Sequence, residues 1–159
     1  MSVLVVPDSD RQEPALPAPL PSCRRILAAT DMTDAGNEAI RYASGLAAAV
    51  GGGLHLLHVV VTGDRGWEEE ARLAAQLREL VPEGWDLPVS TEVVFARDPA
   101  TCIASAAERI DADVLCVAAH GKGPLERLAL GSVSRDLLGK TQRPVLIVRR
   151  HADTGQPRL

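Results

Sequence analysis

The chain alternates between short, unbroken apolar runs and longer stretches whose apolar residues recur at helical spacing. The runs are Ile26–Ala29, Val114–Ala119 and Val145–Val148, joined by Leu54–Val61, interrupted only by His55 and His58, and by a further strand at Val89–Phe95 that carries Ser90, Thr91 and Glu92. Short runs of this kind, without polar alternation, fit strands buried on both faces. Between them, Ala39, Ile40, Ala43, Leu46, Ala47 and Val50 form one helical stripe. Leu73, Leu77 and Leu80 form a second, and Ile103, Ala106, Ala107 and Ile110 a third. Ser132 to Leu138 reads as a short fourth helix.

The predicted boundaries have local causes. Thr33 is placed to cap the first helix, and Gly51-Gly52-Gly53 ends it near Val50. The second helix runs from about Trp67 to Leu80, where Pro82-Glu83-Gly84 breaks it. Asp98-Pro99 joins a capping side chain to a proline in the first helical turn. Strands alternating with helices imply a parallel sheet covered on both faces, and five such strands make a doubly wound α/β domain. Ligands in these sheets sit beyond the carboxyl ends of the strands, where the strand order reverses. Those ends are Ala29-Thr30-Asp31, His58-Val59, Phe95-Ala96-Arg97 and Ala118 to Gly121.

Composition narrows the class. The 159 residues are 46% hydrophobic and 24% charged, which fits one soluble domain with its own core. That domain is read as residues 23–150. Residues 1–22 form a proline-rich extension, with Pro7, Pro14, Pro17, Pro19 and Pro21 opposing helix. Met1 to Val6 has the makings of a short strand, but disorder or a partner's surface is the expectation. Residues 151–159 form a polar tail. A net charge of −4 argues against a nucleic-acid partner. It leaves room for one phosphate ligand held by backbone groups. No apolar run approaches the roughly 20 residues of a membrane span, and the start lacks the basic region of a signal peptide. Cys23, Cys102 and Cys116 are odd in number and lack metal-ligand spacing, so a reducing cytoplasm is expected.

The richest segment is His120 to Val133, between the fourth apolar run and the last helix. A glycine-bearing loop there offers N–H groups to an anion, usually a phosphate. Gly131 permits close backbone approach, and Ser132 adds a hydroxyl where the helix begins. The alternative is a plain connection whose glycines only turn the chain. Asp31 is either a ligand contact or a helix cap, and Lys122 and Arg127 are either phosphate neutralisers or solvated charges. Ser132 and Ser134 read as a cap and a first-turn hydroxyl rather than phosphorylation sites. His58 and His120, without a third ligand, fit backbone hydrogen bonding better than metal chelation. Gly139-Lys140-Thr141 mimics the end of a P-loop, but Ser134 stands where its first glycine belongs and a helix precedes it. No G-x-S-x-G elbow is present.

Over roughly residues 23–150 the chain resembles the universal stress protein family. The residues that carry the resemblance are Ile26 to Asp31, Leu56-Leu57-His58-Val59, Asp98-Pro99, His120-Gly121, Leu130-Gly131-Ser132-Val133 and Pro144 to Val148. Members that bind ATP carry G-x-x-G-x9-G-[ST]. Gly121, Gly131 and Ser132 match it in register, while Ala118 replaces its first glycine and Arg97 the glycine that often precedes the Asp-Pro pair. The resemblance implies a five-stranded parallel doubly wound sheet of the adenine nucleotide alpha hydrolase-like type, strand order 3-2-1-4-5. It implies ATP, with Mg2+ or another divalent metal bound through the phosphates. By position, Asp31 falls near the ribose or that metal, and Ala29, Val59 and Val117 line an adenine pocket. Ala118, Gly121, Gly131, Ser132 and Val133 face ribose and phosphates.

The same resemblance implies a cytoplasmic homodimer paired through the fifth strands, Val145 to Val148, with a regulatory role in stress response. An apolar edge strand needs a cover, which agrees. Enzyme activity beyond slow ATP hydrolysis is not expected. A nucleotide-free interaction dimer is the alternative, supported by Ala118 and Arg97. A phospho-acceptor receiver domain shares the architecture but needs an aspartate where Phe95-Ala96-Arg97 stands.

Overall fold

The computed structural model describes residues 3–5, 23–61, 67–119 and 130–149. Strands β1 (Val3–Val5), β2 (Arg25–Thr30) and β3 (Gly53–Val60) precede β4 (Val89–Phe95), β5 (Val114–Ala118) and β6 (Val145–Val148). Helices α1 (Asp34–Val50), α2 (Trp67–Glu79), α3 (Pro99–Arg109) and α4 (Ser132–Leu138) lie between successive strands from β2 onward. The sheet order is β1-β6-β5-β2-β3-β4. Strands β2 to β6 are parallel throughout. Numbered from β2, they run 3-2-1-4-5, as expected.

Two half-cores explain why the central strands carry apolar residues toward both faces. Side chains along a strand point alternately to opposite faces. Leu27, Leu57, Leu115, Val117 and Ile147 face one side, where Ile103 and Ala107 of α3 and Leu137 of α4 close over them. Ile26, Ala28, Leu56, Val114 and Cys116 face the other, beneath Ile40, Ala43 and Ala47 of α1 and Leu77 of α2. Burial pushes the Cys116 thiol up to about 12. No described helix is long and apolar enough to cross a membrane.

The helix ends follow their local chemistry. The Thr33 hydroxyl accepts from the Gly36 N–H at 3.1 Å. Gly51 closes α1 in the left-handed region, φ 62°, where its N–H reaches the Ala47 carbonyl. Asp98 accepts from the Thr101 N–H at 3.1 Å, and Pro99 opens α3. One expected cap is corrected. Gly131, not Ser132, is the N-cap of α4, and no side chain bonds there. The anchoring hydroxyl lies two residues on: buried Ser134 donates to the Ala118 carbonyl at 2.9 Å and ties α4 to the end of β5.

A second correction concerns the start of the chain. Residues 3–5, expected to be disordered or to lie on a partner, pair antiparallel with β6: Val3 with Ile147, Leu4 with Leu146 and Val5 with Val145. The cause is physical. An apolar edge strand is a template for any strand that can reach it, and the Val-Leu-Val segment, with its β-branched valines, favours extended backbone. Along Val145 to Ile147, the edge that the resemblance gives to a second copy is paired with the chain's own β1.

Candidate functional site

The strand order reverses between β2 and β5, because β2 leads through α1 to β3 on one side while β5 returns on the other. A crevice opens there, as doubly wound topology dictates. The structure places a cleft of about 300 Å³ at this point. That lies at the small end of ligand pockets, which span roughly 300–1,000 Å³.

Eight of the nine residues singled out from sequence line this one cleft: Ala29, Asp31, Val59, Val117, Ala118, Gly131, Ser132 and Val133. Gly121, like His120, Lys122 and Arg127, lies outside the described residues. The floor is apolar because Ala29, Val59 and Val117 belong to the half-core under α3 and α4. The rim is polar. Thr30 donates to Asn37 Oδ1 and accepts from the Met32 N–H, both at 3.0 Å. Met32 turns the chain with φ 66°, a left-handed conformation unusual for a residue with a side chain. Asp31 Oδ1 accepts from the Thr33 hydroxyl at 2.6 Å and the Thr33 N–H at 3.0 Å. Asp31 lines the cleft and is held by Thr33, the residue that caps α1, so it is not itself the helix cap.

His58 is buried, and its Nδ1 donates to the Thr30 carbonyl at 2.8 Å. This is the backbone-bonding role expected for it. Among the described residues, no group of three or more His, Cys, Asp or Glu side chains is placed to hold a metal ion. A lone carboxylate such as Asp31 suits a Mg2+ that arrives on phosphates and keeps its waters, rather than a resident protein cage. The P-loop mimic is discounted by its contacts. Gly139 follows α4, Lys140 pairs with Asp98 at 3.3 Å, and Thr141 is buried and accepts from the Arg143 N–H.

Gly36, Val61, Pro99 and Ile103, not singled out from sequence, complete the wall together with Thr30, named only as a strand end, and Ser134, named only as a first-turn hydroxyl. Gly36 carried a readable signal: a glycine in the first turn of a helix is costly unless something approaches it closely. Pro99 and Ile103 carried none beyond core packing, since only the tertiary approach of α3 brings them to the cleft. Arg97 is not part of this wall. It lines an adjoining depression with Arg135 and Lys140, which shares Pro99, Ser132 and Val133 with the cleft.

Asp98 lies at that junction. The Thr101 hydroxyl, then the Thr101 N–H, then Lys140 pull its carboxyl down from 3.8 to about 2. A carboxyl depressed in the folded state contributes stability above its unfolded value and loses it as pH falls through the folded one. The melting temperature of the wild type is therefore expected to exceed that of Asp98→Asn by a constant margin above pH 4. The two curves should converge as pH falls toward 2. Thermal melts from pH 7 to pH 2 test this, and parallel curves throughout would remove Asp98 from the acid response.

The profile of the universal stress protein family matches residues 22–149. A universal stress protein of Methanocaldococcus jannaschii is 28% identical over 141 residues, covering 80% of this chain and 82% of that protein. A universal stress protein from Archaeoglobus fulgidus superposes with a TM-score of 0.62 at 25% identity, covering 82% of this chain. This chain spans only 45% of that one. A universal stress protein solved in complex with cAMP superposes with a TM-score of 0.64 at 19% identity, covering 77% of this chain and 94% of that one. With most of its length matched, the chain belongs to the universal stress protein family.

Proposed function

We propose that this chain is a cytoplasmic, adenine-nucleotide-binding regulator of the stress response, binding ATP with a divalent metal and working as a homodimer rather than as an enzyme. The observation that carries the reading is the single cleft at the β2/β5 reversal. Its apolar floor of Ala29, Val59 and Val117 suits a flat base, while Gly131 and Ser132 stand at the end suited to phosphate. The relative in complex with cAMP lends support, since cAMP combines adenine, ribose and phosphate. Asp31, on the cleft rim, would meet ribose hydroxyls or a phosphate-borne metal. Arg97, Arg135 and Lys140 offer positive charge beyond Ser132 for a longer phosphate chain. Bound nucleotide would bias the domain toward one conformation by its differential affinity. The second reading, a nucleotide-free interaction module, is favoured by Ala118, whose side chain lines the cleft where the family motif has glycine.

Acid denaturation of the purified protein, followed by identification of any released nucleotide, is the first test. Calorimetric titration of the stripped protein with ATP, AMP and cAMP, with and without Mg2+, is the second. At a hundredfold excess over Kd, a ligand raises stability by about 2.7 kcal/mol. Gly131→Val should weaken ATP binding at least tenfold while leaving the fold intact. Gly131 adopts φ −59° and ψ 158°, a backbone conformation open to any residue, so the valine meets no conformational bar there. Unchanged affinity in that variant rules out the phosphate assignment. No binding of any adenine nucleotide to the stripped wild type would favour the second reading.

A further inference from the structure

Near the amino ends of the strands, away from the cleft, three side chains form one hydrogen-bonded chain. His55 of β3 bonds Ser90 Oγ through Nδ1 at 2.7 Å and Glu92 Oε2 through Nε2 at 2.9 Å. The register brings them together. His55 pairs with Ser90 and Leu57 with Glu92, so all three side chains share one face of the sheet. Arg109, at the end of α3, donates to both Glu92 carboxylate oxygens, at 2.6 and 2.7 Å. No motif in the sequence announces the set, because pairing of β3 with β4 assembles it; such constellations are recognised by geometry and roles.

The carboxylate dictates where the protons sit. Burial opposes ionisation of Glu92, but the hydrogen bonds from Arg109 and His55 outweigh it and hold its carboxyl below the usual range. An ionised carboxylate only accepts, so Nε2 carries the proton of the neutral ring. Nδ1 then keeps a lone pair, and the Ser90 hydroxyl donates to it. This is the serine–histidine–acid order of a serine hydrolase with the two ring nitrogens exchanged. The His55 side chain is only 13% exposed, whereas Ser90 is open to solvent. A shallow cavity of about 270 Å³ lies beside the pair, with Pro88, Val89 and Ile110 on its wall. Arg25, also on that wall, is already paired with Asp111. An apolar wall with its one cation neutralised suits a short, uncharged acyl group. The Leu54 N–H donates to the Pro88 carbonyl and the Ala96 N–H to the Val60 carbonyl, so the even-numbered residues of β4 turn their backbone groups toward β3. β4 is the last strand of the sheet, which leaves the Thr91 N–H at the open edge next to Ser90. A donor adjoining the nucleophile is what a developing oxyanion requires.

We propose that Ser90, His55 and Glu92 form a second, esterolytic site that cleaves small, uncharged carboxylic esters. Ser90 Oγ bonds to the ester carbonyl carbon while its proton passes to His55 Nδ1. The bond from that carbon to the alkoxy oxygen breaks, and the alcohol leaves with the proton. Water then attacks the acyl-serine, giving a proton to the same nitrogen, which returns it to Ser90 Oγ as the carboxylic acid departs. Glu92 is a positioning residue: it touches no reacting atom, fixes the ring's tautomer and stabilises the charge the ring gains. Nothing in this chemistry depends on nucleotide binding, because the cleft opens at the carboxyl ends of the strands.

The test uses the full chain and p-nitrophenyl acetate, with nitrophenolate release followed by absorbance and the acid-quenched protein analysed by peptide mass spectrometry. The wild type should turn the ester over and carry an acetyl group on Ser90. Ser90→Ala, at an exposed position, should keep the wild-type circular dichroism and lose both the label and the turnover. His55→Gln should lower kcat by about a hundredfold, the scale of a lost general base. Glu92→Gln should lower kcat with KM nearly unchanged, and Glu92→Asp should recover part of the loss, neither of which a merely structural role would give. Acetyl groups found only on lysines, or equal turnover by the wild type and Ser90→Ala, overturn the site. An unchanged kcat in Glu92→Gln overturns the relay.

Discussion

On the nucleotide-binding reading proposed for the cleft, Gly36→Ala is expected to cost the chain affinity for nucleotide before it costs the fold. A methyl group on Gly36 would lie 2.4 Å from Asp31 Oδ1, 2.6 Å from Thr30 Oγ1 and 3.0 Å from the Asp31 amide nitrogen. Contacts that short do not persist. The Asp31 carboxylate is the movable partner, and swinging it away breaks its bonds to the Thr33 hydroxyl and N–H. The amide nitrogen cannot move so freely, so the first turn of α1 must also shift. Alanine favours helix over glycine by about 1 kcal/mol, which offsets part of the strain. The net change in melting temperature should stay within a few degrees. Nucleotide affinity should fall tenfold or more, about 1.4 kcal/mol, because both displaced groups line the cleft. Calorimetry on the wild type, Gly36→Ala and Asp31→Asn checks this. Full affinity in Gly36→Ala would mean that bound nucleotide makes no use of the Thr30–Asp31 rim.

The largest loss of stability is expected from Leu115→Ala. Leu115 is fully buried on β5, paired with Leu27 on one side and Val145 on the other. Its side chain lies in the half-core beneath α3 and α4. Truncating such a leucine removes its transfer free energy and leaves a cavity that the flanking strands cannot close, costing about 2–5 kcal/mol. Domains of this size are typically stable by about 5–15 kcal/mol, so a large fraction would be lost. Urea unfolding should show a markedly lower midpoint at an unchanged slope. Leu138→Ala, at a partly buried position on the same face, should cost far less. Equal shifts in the two variants would mean that depth in the sheet does not set the cost.

Much of this architecture was readable because the governing signals are local. Solid apolar runs announce strands buried on both sides, and Thr33, Gly51 and Asp98 act within one turn of the helices they delimit. The cleft was readable for a related reason: strand ends such as Ala29-Thr30-Asp31 and Val117-Ala118 are fixed once the order of elements is known. Where contacts depend on distant parts of the chain, the reading failed. β1 pairs with residues 140 or more positions away, and three residues ahead of Pro7 carry too little pattern to announce a partner. Ser132 was taken for the cap because hydroxyls favour helix starts. The decisive bond instead belongs to Ser134, through a carbonyl on another element. Pro99 and Ile103 looked like ordinary helix residues until α3 was laid against the sheet.

Cys116 gives the fold an uneven response to oxidants. Its thiol is fully enclosed beside β2 in the α1-facing half-core and held in the protonated form, so it lacks the thiolate through which peroxides and disulfides react. Cys23 and Cys102 are only partly covered. Burial also raises the Cys102 thiol, so chemical insult to the native domain falls first at the entry to β2, on Cys23. The strand that floors the cleft stays chemically silent for as long as the sheet holds together, so damage during an oxidative episode would mark the molecule without disabling its centre.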